Sequence, residues 1–416
     1  MEFNARQRAA IESDAPYKVI MAPCGSGKTA TLVGAIERYR NEHPTDHIIA
    51  ITFTRKASAE LKQRTQHLFN IEVSTIHSWA WRELKKLGDE FNFKIQLLEE
   101  NAIKDILKQL CKLRRQYYLN QFQLYTYIMG NYNVDVDESI KKTYEILRSD
   151  YIKFKLKNKL YDFTDLPNYL YDKLTEYYQT ITTIDALFVD EFQDIDPVQY
   201  NLFNLVEAKE KCYIGDSAQA IYQFRGSIEN VFDELEGFEF HTLNINYRSY
   251  QEILDYASTL RSIGLRAIET HMITMAGDVD ELSPSPIECI RGNGGNVYII
   301  NGIGDCINLS TMQNQSDLLV IKTLLADKKT QILCRTNKQV KKLQALGIDN
   351  VSTIHQAKGL EYDNVILINF PCDNIEELNI AYVGATRAKN NLCVIEYEVL
   401  LYIVCQEDIT SNKKLF

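Results

Sequence analysis

Short apolar runs alternate with segments of helical periodicity along much of the chain. Runs that predict strands lie at 17–22, 47–53, 186–189 and 212–214, and helical spacing follows the first two at 28–40 and 55–68. A second series of apolar runs lies at 297–300, 331–333, 351–354, 365–368 and 392–395. Because strands that alternate with helices form parallel sheets with crossover connections, the expected fold class is α/β.

One long segment interrupts this alternation. Residues 86–178 are rich in Leu, Lys and Tyr and poor in Gly and Pro, which predicts a helical insertion. The expected organisation is therefore a first lobe formed by 1–85 with 179–240, a helical subdomain at 86–178, and a second lobe at 241–416.

Composition narrows the class of protein. The 416 residues are 45% hydrophobic and 25% charged, which is typical of a globular chain and excludes a disordered one. No apolar run approaches the roughly 18–20 residues of a membrane span, and the N-terminus lacks a signal-peptide core, so we expect an intracellular, cytoplasmic protein. The nine cysteines are scattered, which favours reduced thiols over a zinc site or a disulfide framework.

Charge limits the expected partners without excluding nucleic acid. The 46 Lys and Arg against 56 Asp and Glu give a formal net charge of −10, which argues against a globally basic nucleic-acid coat. A local basic track remains compatible with that total. Basic residues and tyrosines interleave between 104 and 159, which suits a surface that follows phosphates, although a solvated helical face is the alternative.

A glycine-rich turn between the first predicted strand and helix carries the clearest chemistry. Glycines allow backbone N–H groups to point at phosphate oxygens, and the helix that follows adds its positive end. In this loop Lys28 would neutralise the β- and γ-phosphates and the Thr29 hydroxyl would bind Mg²⁺. The alternative is a strand-to-helix turn with an incidental lysine. The loop consists of Ala22, Pro23, Cys24, Gly25, Ser26, Gly27, Lys28 and Thr29.

Two acids follow the predicted strand at 186–189. Asp190 leaves a buried strand at the carboxyl edge of the sheet, where it would join Thr29 in the Mg²⁺ shell. Glu191 would then act as the general base on the attacking water. An acidic loop cap is the alternative, and the phosphate loop makes it less favoured.

An ordered set of motifs resembles the superfamily 1A helicases of the UvrD/Rep/PcrA type. The matching segments lie at 3–7, 50–60, 74–77, 162–166, 190–193, 215–226, 246–249, 353–361 and 381–388. The resemblance implies two RecA-like lobes of the P-loop NTPase kind, with ATP and Mg²⁺ held between them. It also implies a DNA helicase, a hydrolase that fits DNA replication, recombination or repair.

The resemblance implies specific nucleotide contacts. Gln7 would read adenine, Tyr247 would stack on it, and Glu361 would bond the ribose. Gln219 would read the γ-phosphate, and Arg248 and Arg387 would stabilise the charge that develops on it during transfer.

The same resemblance implies a single-stranded DNA track. Aromatic rings that stack on bases tolerate any sequence, as a translocating enzyme requires. Core packing is the alternative for each aromatic residue, including Phe53 at a strand end. The expected stacking residues are Phe53, Tyr222 and Phe224, and the expected phosphate or base-edge contacts are Thr54, His77, Arg225 and His355.

One departure from the family concerns the segment before residue 351. The relatives carry a large subdomain there, whereas here a single predicted helix at 338–347 fills the space. Two functions therefore stay open. The first is a monomeric helicase that moves 3′ to 5′ on single-stranded DNA and acts at single-strand/duplex junctions, with replication or repair proteins as partners. The second is an ATP-switched DNA-binding or remodelling protein without autonomous unwinding.

Two further expectations concern the substrate and Cys24. DNA is favoured over RNA as the substrate. Lys28 and the helix N-terminus would favour a thiolate at Cys24, so we expect alkylation of Cys24 that bound ATP blocks. A buried, inert thiol is the alternative.

Overall fold

The computed structural model describes residues 2–129, 138–222, 226–228, 230–260, 288–300, 315–395 and 400. The chain divides into two compact units. Unit 1 consists of Met1–Met21, Thr29–Gly215 and Tyr222–His241, and unit 2 of Ala22–Lys28, Asp216–Ile221 and Thr242–Phe416. The phosphate loop therefore packs with unit 2, although it follows a strand of unit 1 in sequence.

Unit 1 is built on a six-stranded sheet in the order β3-β2-β4-β5-β1-β6. Neighbouring strands from β3 to β1 pair in parallel, so their carboxyl ends meet at one edge, where ligands bind in open α/β sheets. The strands are β1 (Tyr17–Met21), β2 (Ile48–Thr52), β3 (Ile71–Thr75), β4 (Ala186–Val189), β5 (Glu210–Gly215) and β6 (Glu239–Thr242).

Helices cover this sheet because its central strands are apolar on both faces. All residues of β2 and β4 are buried, and Trp79 and Leu170 belong to the same core as Leu187 of β4. The helices of this layer are Ala5–Glu12, Lys28–Glu42, Arg55–Arg64, Ile76–Phe91, Leu166–Glu176 and Pro197–Asn204. Short 3₁₀ turns of unit 1 lie at Phe163–Asp165, Phe192–Asp194 and Val231–Glu234, and one at Ser217–Gln219 belongs to unit 2.

The helical insertion has a core of its own. Helices Glu100–Leu113, Gln121–Ile128 and Glu138–Asn158 pack around Leu107, Leu124 and Tyr144. Nearby, Lys155 is buried and pairs with Asp162 and Asp165, both at 2.6 Å. These contacts attach the insertion to the segment that leads back to the sheet.

Unit 2 contains a five-stranded sheet in the order β11-β10-β12-β13-β9, in which neighbouring strands pair in parallel. Its strands are β9 (Asn296–Ile300), β10 (Thr330–Cys334), β11 (Val351–Thr353), β12 (Tyr362–Ile368) and β13 (Ala388–Ile395), and a separate pair joins β7 (Ile245–Asn246) to β8 (Glu288–Cys289). The helices are Gln315–Ala326, Asn337–Ala345, Ile354–Ala357 and Ile375–Ala385, and residues 251–260 are also helical.

The two parallel sheets with their helices confirm the predicted α/β class. The connection from β10 to β11 contains one helix, Asn337–Ala345, and leaves no room for a further subdomain at that point. Among the helices in the described ranges, none combines the length and the apolar character that crossing a membrane requires.

Candidate functional site

At two positions the loop after β1 adopts a backbone conformation that strongly favours glycine. Gly25 and Gly27 have φ angles of 74° and 82°, in the left-handed region. A Cβ atom on Gly25 would also lie 2.9 Å from Cβ of Arg248. Helix Lys28–Glu42 begins directly after this loop, so its N-terminal N–H groups adjoin the glycine turn.

The end of β7 and the residue that follows it hold the backbone of this loop within unit 2. Asn246 Nδ2 donates to the carbonyl of Cys24 at 2.7 Å, and the Tyr247 amide donates to the carbonyl of Gly25 at 2.9 Å. Asn246 Oδ1 accepts from the amides of Arg248 and Ser249 at 2.8 and 2.9 Å. One amide side chain thus fixes both the loop and the turn that carries Arg248.

Both predicted arginines meet at the sulfur of Cys24. Arg248 NH1 donates to Cys24 Sγ at 2.6 Å and Arg387 NH2 donates to it at 2.9 Å. Arg387 is only 1% exposed and also donates to the carbonyls of Val383 and Leu360. Burial raises the pKa of the Cys24 thiol, but the two guanidinium groups and a hydrogen bond to Thr386 outweigh burial, so the pKa lies below its ordinary value.

Glu361, which was predicted to bond a ribose, lies between two cations. Its carboxylate accepts from Arg248 Nε at 2.8 Å and from Lys389 Nζ at 2.6 Å. Burial raises the pKa of Glu361, but Lys389 and Arg248 together lower it by more than burial raises it. The net pKa is therefore below its usual range. The carboxylate is therefore charged at neutral pH and orients the Arg248 side chain. Tyr247, beside Arg248 in sequence, is 38% exposed.

Gln219 lies in a polar cluster at the end of β5. Its Nε2 donates to Asp216 Oδ2 at 2.7 Å, and its carbonyl accepts from Lys358 Nζ at 2.8 Å. Tyr382 reaches the same Asp216 oxygen at 3.5 Å. His355, a predicted DNA contact, is buried, with Nε2 3.2 Å from the Ile221 carbonyl.

The predicted acids lie at the carboxyl edge of the unit 1 sheet. Asp190 directly follows β4, is buried, and accepts from the Glu191 amide at 2.9 Å. Glu191 has a left-handed backbone, and its carboxylate accepts from Gln193 Nε2 at 2.5 Å. Thr29 lies in the first turn of helix Lys28–Glu42. In the described ranges no group of three or more His, Cys, Asp or Glu side chains is arranged to hold a metal.

Two residues that were predicted to contact ligands take part in capping helices. Gln7 is buried, and its Oε1 accepts from the Asn4 amide at 3.0 Å as part of a capping box. The Thr54 hydroxyl accepts from the Ala57 amide at 3.1 Å at the start of helix Arg55–Arg64. Each side chain thus has a structural role in addition to any ligand contact.

Aromatic rings pair near the carboxyl ends of β2 and β3. Phe53 stacks on Tyr222 with ring centroids 5.1 Å apart, and His77 stacks on Phe163 at 5.2 Å. Burial lowers the pKa of His77 to about 4, despite the opposing Asp162 charge, so the ring is neutral at physiological pH. Predicted contacts Phe224 and Arg225 lie outside the described residues.

Part of the basic face predicted on the insertion is used internally. Lys155 is buried in its ion pairs, and Arg114 binds both carboxylate oxygens of Asp150 at 2.8 and 2.9 Å. Lys155 is therefore withdrawn from any open basic surface, and the exposed Arg114 has its charge paired by Asp150.

Four residues of these clusters had no role assigned from the sequence. They are Asn246, Lys358, Phe163 and Lys389. The first three lie inside the recognised motif segments, and that position could have marked them as candidate site residues. Lys389 follows such a segment by a single position, and only the fold brings it to Glu361.

The residues around the loop match the chemistry of a polyphosphate. A turn with two left-handed glycines next to a helix N-terminus supplies N–H donors, and two guanidinium groups converge on the same loop. Mg²⁺ is commonly held by one or two protein oxygens together with phosphate oxygens, which Thr29 and Asp190 fit by type.

Comparisons with known proteins match this chain to helicases. The sequence profile of the UvrD/REP helicase N-terminal domain matches residues 3–238, and that of the UvrD-like helicase C-terminal domain matches residues 348–399. A probable DNA helicase of Mycoplasma pneumoniae is 26% identical over 453 aligned positions, which cover 95% of this chain and 84% of that protein.

Other relatives are considerably longer than this chain. The ATP-dependent DNA helicases PcrA of Staphylococcus epidermidis and Staphylococcus aureus are each 31% identical over 288 positions. Those positions cover 62% of this chain and 39% of each PcrA protein, so the match spans well under half of their length.

Proposed function

Because the chain belongs to the UvrD/REP helicase family, we propose that it is an ATP-hydrolysing DNA helicase that moves 3′ to 5′ on single-stranded DNA. In this proposal the protein acts as a monomer at junctions between single-stranded and duplex DNA. Its three parts are a first lobe at 1–85 with 179–240, the insertion at 86–178, and a second lobe at 241–416.

The convergence of Arg248 and Arg387 on the glycine loop carries this proposal. Both guanidinium groups lie within hydrogen-bond distance of one atom in the loop, Sγ of Cys24. Phosphoryl transfer develops negative charge on the equatorial oxygens, and fixed guanidinium groups stabilise that charge. A glycine turn without a ligand-binding role would not be expected to have two buried or half-buried arginines in contact with it.

Each part of the nucleotide site has an expected role. Lys28 neutralises the β- and γ-phosphates, and Gln219 contacts the γ-phosphate. Bound at Thr29 and Asp190, Mg²⁺ supplies charge neutralisation on the phosphates.

The remaining side chains complete the proposed chemistry. Glu191 accepts a proton from the attacking water as general base. Gln7 and Tyr247 contact adenine. Because Glu361 is bound by Arg248 and Lys389, we propose that it orients Arg248 in addition to contacting ribose.

DNA contacts are proposed along the carboxyl edge of the unit 1 sheet, and His355 is proposed as a contact in unit 2. The stacked pair Phe53 and Tyr222 offers aromatic faces to bases, and His77 contributes as a neutral ring. The other proposed contacts are Thr54, Phe224 and Arg225.

Strand displacement on tailed duplexes tests this function. Purified protein is incubated with ATP and Mg²⁺ on duplexes that carry either a 3′ or a 5′ single-stranded tail of equal sequence. We expect displacement of the 3′-tailed substrate only, and none with Lys28→Ala. Displacement of the 5′-tailed substrate alone would contradict the polarity, and ATP-independent displacement would contradict the mechanism.

A second candidate function rests on the short connection between β10 and β11. A single helix, Asn337–Ala345, stands where the family resemblance implies a further subdomain. This favours an ATP-switched DNA-binding protein that does not unwind alone. In that case ATP would change single-stranded DNA affinity, while neither tailed duplex would be displaced by the purified protein.

A further inference from the structure

Cys24 occupies the point at which the two arginines of unit 2 meet. We propose that Cys24 is a positioning residue, whose thiolate holds the guanidinium groups of Arg248 and Arg387 together until a nucleotide phosphate takes its place. This inference rests on the proposed ATP site and adds a residue to its operation.

The geometry makes the sulfur a shared acceptor. Cys24 Sγ accepts from NH1 of Arg248 and from NH2 of Arg387, at 2.6 and 2.9 Å. The two donors belong to different elements, one in the turn after β7 and the other just before β13. A single atom in the loop therefore links two elements that carry the proposed phosphate-binding cations.

Burial makes the charge of this acceptor important. Cys24 is 4% exposed and Arg387 is 1% exposed, so a guanidinium charge is held away from water here. A buried cation needs an anionic or well-directed partner, because its desolvation is costly. The carbonyls of Val383 and Leu360 also accept from Arg387, but they carry no formal charge.

The charged and titratable groups around the sulfur come from several elements. Arg248 and Arg387 favour the thiolate, whereas Asp216 at the end of β5 opposes it. Glu361 and Tyr382 act on the Arg248 side of the cluster. Although burial raises the pKa of the Cys24 thiol, the two guanidinium groups outweigh it and the net pKa is lowered.

This arrangement couples nucleotide binding to the uptake of a proton by the Cys24 sulfur. A phosphate that takes over Arg248 and Arg387 brings negative charge next to Sγ, so the sulfur takes up one proton from solvent as the nucleotide binds. Binding that takes up one proton weakens by about tenfold per pH unit above the pKa of the group that is protonated. A neutral residue at this position removes that dependence.

The test compares wild type with Cys24→Ser and Cys24→Asp. Affinity for a fluorescent, non-hydrolysable ATP analogue with Mg²⁺ is measured from about pH 6 to about pH 9, a range that spans ordinary and lowered thiol pKa values. Because the analogue titrates identically in all three experiments, the ratio of wild-type to Ser dissociation constants isolates the thiol. We expect that ratio to rise by up to about tenfold per pH unit. Cys24→Asp keeps a charge and should bind weakly throughout.

A second measurement needs no nucleotide. The difference in ultraviolet thiolate absorbance between wild type and Cys24→Ser gives the titration of this thiol alone. We expect a midpoint below that of an ordinary cysteine and a higher midpoint in Arg387→Gln. A thiol that titrates in the ordinary range, or parallel affinity profiles for wild type and Ser, would overturn the inference. Loss of analogue binding in every form would instead contradict the ATP site, and the absorbance titration would still decide the role of Cys24.

Discussion

Glu361 accepts a hydrogen bond from Nε of Arg248 at 2.8 Å, and this contact leaves the NH1 group of the same guanidinium directed at Cys24. A carboxylate that fixes one side of a guanidinium fork determines where its other donors point. We therefore expect Glu361→Gln to lower kcat for ATP by roughly tenfold, because charge stabilisation by Arg248 then becomes less well directed. Steady-state ATP hydrolysis at several ATP concentrations measures this.

Lys389→Gln is the matched control for this prediction. It removes the second partner of Glu361 but leaves the contact with Arg248. We expect a smaller loss of kcat than in Glu361→Gln. A Glu361→Gln enzyme with unchanged kcat and a raised KM would indicate a ribose contact alone and contradict the orienting role.

Phe53 provides a test of the proposed DNA track. Its ring stacks on Tyr222, and each base–aromatic contact contributes about 1–3 kcal/mol. Phe53→Ala should weaken single-stranded DNA binding by roughly five- to 150-fold, equally for different base sequences. Phe69→Ala, at an exposed position outside the track, should bind as wild type does. Fluorescence anisotropy with labelled oligonucleotides decides, and equal affinities for both variants would identify Phe53 as a packing residue.

His77 should make the stability of unit 1 sensitive to acid. Burial lowers its pKa in the folded state to about 4, while an unfolded histidine titrates near about 6.5. The contribution of the neutral ring is therefore complete above the unfolded pKa and is lost as pH falls toward the folded value. At pH 5 that loss is about 2 kcal/mol.

Urea unfolding of wild type and His77→Gln near neutral pH and near pH 5 measures this loss of stability. The difference in unfolding free energy between the two proteins should change with pH by that amount, with wild type losing more. A constant difference would show that His77 titrates normally in the folded protein.

The ion pairs of Lys155 should stabilise the folded insertion. Lys155 and Asp162 are both buried, so removal of the cation leaves a carboxylate without its charge partner. Lys155→Ala should cost about 3–5 kcal/mol of unfolding free energy. Lys157→Ala, on the exposed side of the same helix, should change it by less than about 0.5 kcal/mol. Similar stabilities for the two variants would contradict a structural role for this cluster.

The elements that could be predicted from the sequence are those with strong local patterns. Strands β2 and β4 are continuous apolar runs, and the glycine loop before helix Lys28–Glu42 has a recognisable spacing. Strand β3 was not predicted, because Glu72 and two hydroxyl residues interrupt its pattern. Strands β7 and β8 have two residues each, too few for any periodicity.

The site was predictable as a set of residues but not as a set of contacts. Cys24 was expected to respond to Lys28, whereas in the structure it accepts from Arg248 and Arg387, more than 200 residues away in sequence. Glu361 was assigned to ribose because the sequence gives no sign of two cations beside it. Such contacts depend on how distant segments fold together, which local patterns do not encode.

The central claim, an ATP-driven motor on DNA, is tested most directly by ATP hydrolysis with and without single-stranded DNA. Wild type and Lys28→Ala are compared after circular dichroism has established equal folding. We expect DNA to stimulate wild-type hydrolysis several-fold, and Lys28→Ala to lose at least about 100-fold in kcat in both conditions. Near-wild-type hydrolysis by Lys28→Ala, or a folded wild type that binds ATP but hydrolyses it at the same rate with and without DNA, would contradict the account.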